Sequence, residues 1–178
     1  MINLRKITHW NLVECLDLEI TAEQEDFVDS NAESLAEAYA SVTNGGFATP
    51  YAIYDGDVMV GFVMYTYYDK PNAYDLADVL SSVENPADVP YKAPCYYIWR
   101  LLIDKNQQRK GYGKQAIEKI ITEIKTMPHG KANCIYTSWH PDNIGSKTLF
   151  ASLGFKETGE VEGCREDEDY EVVVKLEM

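Results

Sequence analysis

Seven consecutive residues, Gln108-Arg109-Lys110-Gly111-Tyr112-Gly113-Lys114, set two glycines among three cations in a chain that is otherwise acidic. A strand is expected before them, from Ile98 to Ile103, and a helix after them over 114–126. Ile117, Ile120, Ile121 and Ile124 follow the i, i+3, i+4, i+7 spacing of one apolar helix face. Glycine lets a backbone approach a ligand closely. The start of a helix offers N–H groups with no intrahelical acceptor, together with the positive end of its dipole. The segment reads as a seat for a pyrophosphate or a similar anion.

Spacing discriminates among the loops that bind phosphate. A Walker loop needs Ser or Thr after Gly-Lys, and Gln115 stands there; no glycine lies five residues before Gly113. A dinucleotide fingerprint is formally matched by Gly111, Gly113 and Ala116. In that fold, however, the first glycine follows its strand almost directly, and nothing earlier in the chain opens a doubly wound sheet. An ordinary strand-to-helix turn is the plain alternative. The remaining pattern, Q/R-x-x-G-x-G/A between strand and helix, resembles the acetyl-CoA loop of the GNAT N-acetyltransferases.

The elements that must position this loop can be read in order. Residues 2–8 alternate apolar and polar as a first strand, and Thr8 is placed to cap a short helix carrying Trp10, Val13 and Leu16. A second helix is expected from about Glu23 to Val42, with Val28, Ala32, Leu35, Tyr39 and Val42 on its inward arc. Asp26, Asp29, Glu33 and Glu37 fall opposite, as a solvated face or as the entrance for a cation. Strands follow over Tyr51–Tyr54 and Val58–Tyr68, joined by an Asp55-Gly56 hairpin turn. Residues 69–94, broken by Pro71, Pro86, Pro90 and Pro94, read as an insertion or lid with a short helix over 73–83. After the glycine loop and its helix come a strand over Cys134–Trp139 and a short helix bearing Leu149, Phe150 and Leu153. Gly154 suits its left-handed cap. Strands near 156–161 and 170–176 flank the acidic turn Glu166–Asp169. The order β-α-α-β-β-β-α-β-α-β-β predicts one domain over 1–178, an α/β (α+β) fold whose mixed sheet of about seven strands has helices on both faces.

Composition narrows the function classes. With 178 residues and 46% hydrophobic content, the chain is long enough for a real core. Twenty-nine acidic residues against sixteen basic ones argue against nucleic acid as a partner and suit a cationic small molecule. No apolar run approaches the ~20 residues of a membrane span. Met1 to Lys6 lacks a signal-peptide core, so a cytoplasmic protein is expected. Cys15, Cys95, Cys134 and Cys164 are scattered without metal-ligand spacing, which predicts reduced thiols and no metal.

A second motif supports the first. Asn143-x-x-Ser146-x-x-Leu149-Phe150-x-x-x-Gly154-Phe155 is similar to the GNAT pattern N-x-x-[AS]-x-x-L-Y-x-x-x-G-F, about thirty residues after the glycine loop, where that family places it. Gln24-x-x-Phe27-Val28 and Arg100-Leu101-Leu102-Ile103-Asp104 are further similar to bacterial diamine and polyamine acetyltransferases. The resemblance implies that acetyl-CoA is the cosubstrate and a primary amine of a small cationic acceptor is the nucleophile. It implies that the backbone of Leu102 and Ile103 holds the pantetheine arm and polarises the acetyl carbonyl. The amides of Arg109 to Lys114 would bind the pyrophosphate after Gln108. Asn143, Lys147 and Phe150 would complete the cofactor site.

Two departures follow from the same comparison. The tyrosine that commonly protonates the leaving thiolate is Phe150, which leaves Tyr112, Tyr136, His140 or a water as substitute. The strand glutamate that serves as base in many members is replaced by Tyr97, so the amine proton must leave through water or remote acids, with Asp104 the nearest carboxylate in sequence. The alternatives are an acetyltransferase for peptide N-termini or amino acids, and a non-catalytic acyl-CoA sensor. A homodimer through the C-terminal half stays open.

Overall fold

The computed structural model describes residues 1–70, 91–164 and 169–178. The expected helix over 73–83 and most of the acidic turn lie outside the described residues. Seven strands form one mixed sheet: β1 (Ile2–Lys6), β2 (Thr49–Asp55), β3 (Val58–Tyr68), β4 (Cys95–Ile103), β5 (Cys134–Trp139), β6 (Lys156–Cys164) and β7 (Asp169–Glu177). Their spatial order is β1-β2-β3-β4-β5-β7-β6. Every neighbouring pair is antiparallel except β4 and β5. Among the described residues the helices are α1 (Leu12–Leu16), α2 (Asn31–Thr43), α3 (Tyr112–Ile124) and α4 (Ile144–Ser152), with a 3-10 turn at Ala22–Gln24.

Alternation along the strands feeds two core layers. Val63, Tyr65, Tyr96 and Ile98 pack with Ile117, Ile120 and Ile124 of α3 and Phe150 of α4. Phe62, Met64, Tyr97 and Leu102 face the opposite way, into the layer that holds Cys15 of α1 and Ala38 of α2. The expected apolar face of α3 is therefore the one buried. At the centre, β3 and β4 meet at Gly61, where an added Cβ would strike the Leu102 carbonyl oxygen and come within 2.8 Å of Ile103 Cδ1. The glycine sets the spacing of the strand that carries the candidate site.

The first two helices depart from the periodicity reading. Ser30 and Glu33 form a capping box, so α2 begins there instead of near Glu23. It buries Asn31, Ser34 and Ala38, while Tyr39 and Val42 are 76% and 55% exposed. Small residues let α2 lie close to the sheet, and the Asn31 side chain donates to the Cys15 carbonyl at 2.7 Å. On α1 only Cys15 is buried, and Trp10 is 92% exposed. No helix among the described residues is long and apolar enough to cross a membrane.

His129, just beyond α3, packs against Phe47 and Tyr65 and its Nε2 lies 3.0 Å from Thr49 Oγ1. Burial pushes its imidazole below the ordinary value, and Glu123 pulls it partly back. The folded state then binds this proton less readily than the unfolded chain. The contribution of neutral His129 is complete above the ordinary value of 6.5 and is lost as pH falls through the folded value. Urea midpoints taken from pH 7.5 to about 5.5 should fall more steeply for the wild type than for His129→Gln.

Candidate active site

The site begins where two strands part. β4 pairs with β5 only at Tyr96–Ile135 and Tyr97–Tyr136. The register against β3 steps from Tyr65–Ile98 to Met64–Arg100, so Trp99 is an extra residue at a bulge. Beyond it β4 stays on β3 while β5 stays on β7, and the two diverge. The Thr137 hydroxyl donates to the Ile98 carbonyl at 2.9 Å, closing the vertex of the gap. A cleft of about 510 Å³ fills it, walled by Leu101 to Ile103 on one side and Thr137 to Trp139 on the other. An open strand edge of this kind can accept an extended ligand as a further strand.

At one end of the cleft lies the glycine loop. Gly111 is the N-cap of α3, with φ of +80°, and Arg109 also takes a positive φ of 62°. Left-handed residues alternating with ordinary ones make the concave backbone turns that bind anions. No side chain caps α3, and its first turn carries no acid, so its first N–H groups are left to a ligand. Gly113 sits inside the helix as its second residue, because α3 begins two residues earlier than the sequence suggested. Asn143 caps α4 by accepting the Ser146 N–H at 3.0 Å. Of the residues expected to hold the cosubstrate, all but Lys110 and Lys147 line this cleft. Lys110 Nζ instead donates to Asn106 O and Gln107 Oε1, and Lys147 pairs with Glu157 at 3.3 Å. The backbone turn, the uncapped helix and the open edge of β4 together fit a pantetheine pyrophosphate.

Gln108 has a positioning role that its motif did not reveal. Its Nε2 donates to Gln24 Oε1 at 2.7 Å and to the Ile103 carbonyl at 3.0 Å. Asp104 accepts the Glu19 N–H at 3.1 Å, and Lys105 N–H donates to Glu19 O at 2.6 Å. The segment before α2 is thereby stitched to the glycine loop, and Asp104 is taken up by backbone amides.

Next to Gln24 the lining of the cleft turns acidic. Glu25, Asp26 and Asp29 line it. Glu33 is used as the cap of α2, where its hydrogen bonds to Ser30 hold it below the usual carboxylate range. Glu37 and Asp29 share the Arg100 guanidinium. The face that looked uniform in sequence thus divides into a cap, an ion pair and a cleft wall.

Deeper in, Tyr97 is 6% exposed at the vertex. Its hydroxyl lies 2.7 Å from Ser138 Oγ and donates to Glu162 Oε2 at 3.0 Å. Ser138 donates in turn to Glu171 Oε2. These carboxylates come from β6 and β7, sixty-five and seventy-four residues from Tyr97 in the chain, and no local motif announces them. The ring of Tyr97 also packs against Tyr91 at 4.8 Å.

The candidate acids are dispersed. The Tyr112 ring lines the cleft, but its hydroxyl donates to Asp55 Oδ2 at 2.7 Å, a bond that raises its pKa. Tyr136 is buried in the layer beneath α1 and α2, near Tyr91, and does not line the cleft. His140 stacks on Phe27 at 5.4 Å, and its Nδ1 accepts the Asp142 N–H at 3.2 Å. Phe150 lies flat against Trp139, 6.2 Å between centroids, and lines the cleft without a polar atom.

Residues 12–155 match the acetyltransferase (GNAT) family. The chain is 26% identical over 161 residues to the spermine/spermidine N(1)-acetyltransferase of Bacillus subtilis, covering 90% of this chain and 91% of that protein. Among solved structures, an aminoglycoside acetyltransferase in complex with coenzyme A superposes with a TM-score of 0.70 at 16% identity, over 99% of this chain and 95% of the other. A Bacillus subtilis acetyltransferase in complex with coenzyme A superposes with a TM-score of 0.61 at 16% identity, over 99% and 97%.

Proposed function

The chain belongs to the acetyltransferase (GNAT) family and is an acetyl-CoA-dependent N-acetyltransferase; on that premise we propose that its acceptor is a primary amine of a small cationic molecule, spermidine and spermine first. The observation that carries this reading is the set of carboxylates lining the cleft, Glu25, Asp26 and Glu171, with Asp29 beside them held by Arg100. An ammonium group gains there from several carboxylates at once, and a net charge of −13 draws polycations toward the protein. The activity carried in the name of the Bacillus subtilis relative supports the same class of acceptor.

The chain's own groups have defined tasks in this reaction. The amides at the start of α3 hold the pyrophosphate, the open edge of β4 at Leu102 and Ile103 holds the pantetheine arm, and Asn143 closes the seat from α4. Acetyl-CoA supplies an activated acyl carbon. Backbone N–H groups near Leu102 stabilise the oxygen that gains charge as the amine attacks. Direct attack needs no enzyme nucleophile.

Thiol release measured with acetyl-CoA and a panel of amines tests the acceptor. Spermidine or spermine should be turned over with a kcat/KM at least about tenfold above that of amino acids or a neutral peptide N-terminus. The reverse order would remove polyamines and leave a peptide or amino-acid acetyltransferase.

A further inference from the structure

We propose that Tyr97 and Ser138 form the proton path of acetyl transfer, with Glu162 and Glu171 as its two ends; this deepens the amine-acetyltransferase reading and rests on it. The oxygens run Glu162, Tyr97, Ser138, Glu171, each within hydrogen-bonding distance of the next. Three contacts join four oxygens, but the two hydroxyls bring only two protons. The chain therefore takes up a further proton by turning hydroxyls, without moving a heavy atom. Glu162 and Glu171 are also direct cross-strand partners on β6 and β7.

The chain lies where the reaction needs it. Tyr97 is the last residue of β4 paired to β5, and Ser138 lies just past the vertex on the facing strand. Tyr97, Ser138 and Glu171 all line the cleft, on the side of the sheet that carries α1 and α2.

The proton count can be written out. An ammonium acceptor brings three N–H bonds, and the product amide keeps one. The nitrogen loses a first proton to the hydroxyl chain and becomes nucleophilic. Its lone pair then forms the N–C bond to the acetyl carbon, the C–S bond breaks with its electron pair on sulfur, and a second proton leaves nitrogen. One of the two protons ends on the coenzyme A sulfur and the other in solvent by way of a carboxylate. Phe150 has no proton to give, so the hydroxyl chain is assigned only the protons that leave nitrogen. Tyr97, at the position where the resemblance expected a glutamate, replaces a base with a relay to two of them.

The test is kinetic, on the full-length protein with acetyl-CoA and spermidine. Glu162→Gln combined with Glu171→Gln keeps both acceptor oxygens but removes the proton sinks, and should lower kcat about a hundredfold. KM for acetyl-CoA and coenzyme A affinity by calorimetry should stay within about threefold of wild type. Ser138→Ala should lose about tenfold in kcat, and Ser138→Thr, which restores a hydroxyl, should recover most of it. A double Gln variant with kcat within about threefold of wild type overturns the relay. So does a parallel loss of kcat and coenzyme A affinity, which marks a structural role. A wild type that ignores polyamines but acetylates another amine overturns the acceptor reading instead, and the same variants assayed on that amine then decide the relay.

Discussion

Gly113→Glu is expected to weaken coenzyme A binding about a hundredfold. Gly113 is the second residue of α3. An added Cβ would lie 3.7 Å from Ile103 Cγ1 and Leu149 Cδ2 and 3.8 Å from Leu101 Cδ2, which is ordinary contact. Alanine therefore fits, whereas a longer side chain must leave those apolar groups for the cleft. A carboxylate there occupies the N–H groups and the dipole field that the pyrophosphate requires. It also repels the phosphate directly. Two like charges about 4 Å apart cost up to about 4 kcal/mol near a protein surface before salt screens them. About 2.7 kcal/mol of that is a hundredfold in Kd. Calorimetry with coenzyme A checks it, with Gly113→Ala expected within about threefold of wild type. A Glu variant that binds as tightly as the Ala variant would mean that the anion sits elsewhere than at the start of α3.

The second large effect concerns stability. Arg100, its side chain 14% exposed, pairs with Asp29 and with Glu37 at 3.0 Å, and its guanidinium also donates to the Trp99 carbonyl at 3.1 Å. Burial pushes Glu37 up, and Arg100 is the group that pulls it back. Arg100→Leu leaves two carboxylates facing each other with no cation between them. Removing one partner of a buried ion pair costs about 3–5 kcal/mol. Asp29 is 52% exposed, so solvent screening brings the expectation down to about 2–3 kcal/mol. Urea unfolding should show a lower midpoint at unchanged m. The same variant frees two carboxylates beside the cleft and should lower KM for a polyamine in the molecules that fold. A loss below about 0.5 kcal/mol would fit a solvated pair instead.

Which parts of this molecule could be read from sequence follows from the range of the forces involved. The strand over Val58–Tyr68, the Asp55-Gly56 turn and the strand–loop–helix from Ile98 onward depend on neighbours a few residues apart, and each lies where its residues put it, with the helix at 112–124 instead of 114–126. The cap at Gly154, with φ of +92°, was equally local. The start of α2 was also legible, since Ser30-Asn31-Ala32-Glu33 spells a capping box, but the helical pattern was extended backward through it. Its buried face was legible in part. Val28 and Leu35 pack against the core as their hydropathy suggests, whereas Tyr39 and Val42 stand exposed and Asn31, Ser34 and Ala38 are the residues buried beneath that helix.

The site divides along the same line. By itself the sequence pointed to the proposed donor half, because an anion seat made of backbone amides needs only glycines, a helix start and a strand in order, all within one stretch of chain from Ile98 to Lys114. It also determined that Phe150 and Tyr97 lack the acid and base their positions were expected to supply. What we propose replaces them, the Tyr97–Ser138 relay, is visible only in the tertiary structure. The bulge at Trp99 parts β4 from β5, and the pairing of β7 with β5 and β6 carries Glu171 and Glu162 to the Tyr97 and Ser138 hydroxyls. Hydrogen-bonded register between strands distant in sequence sets those contacts, and no residue spacing within either strand encodes them.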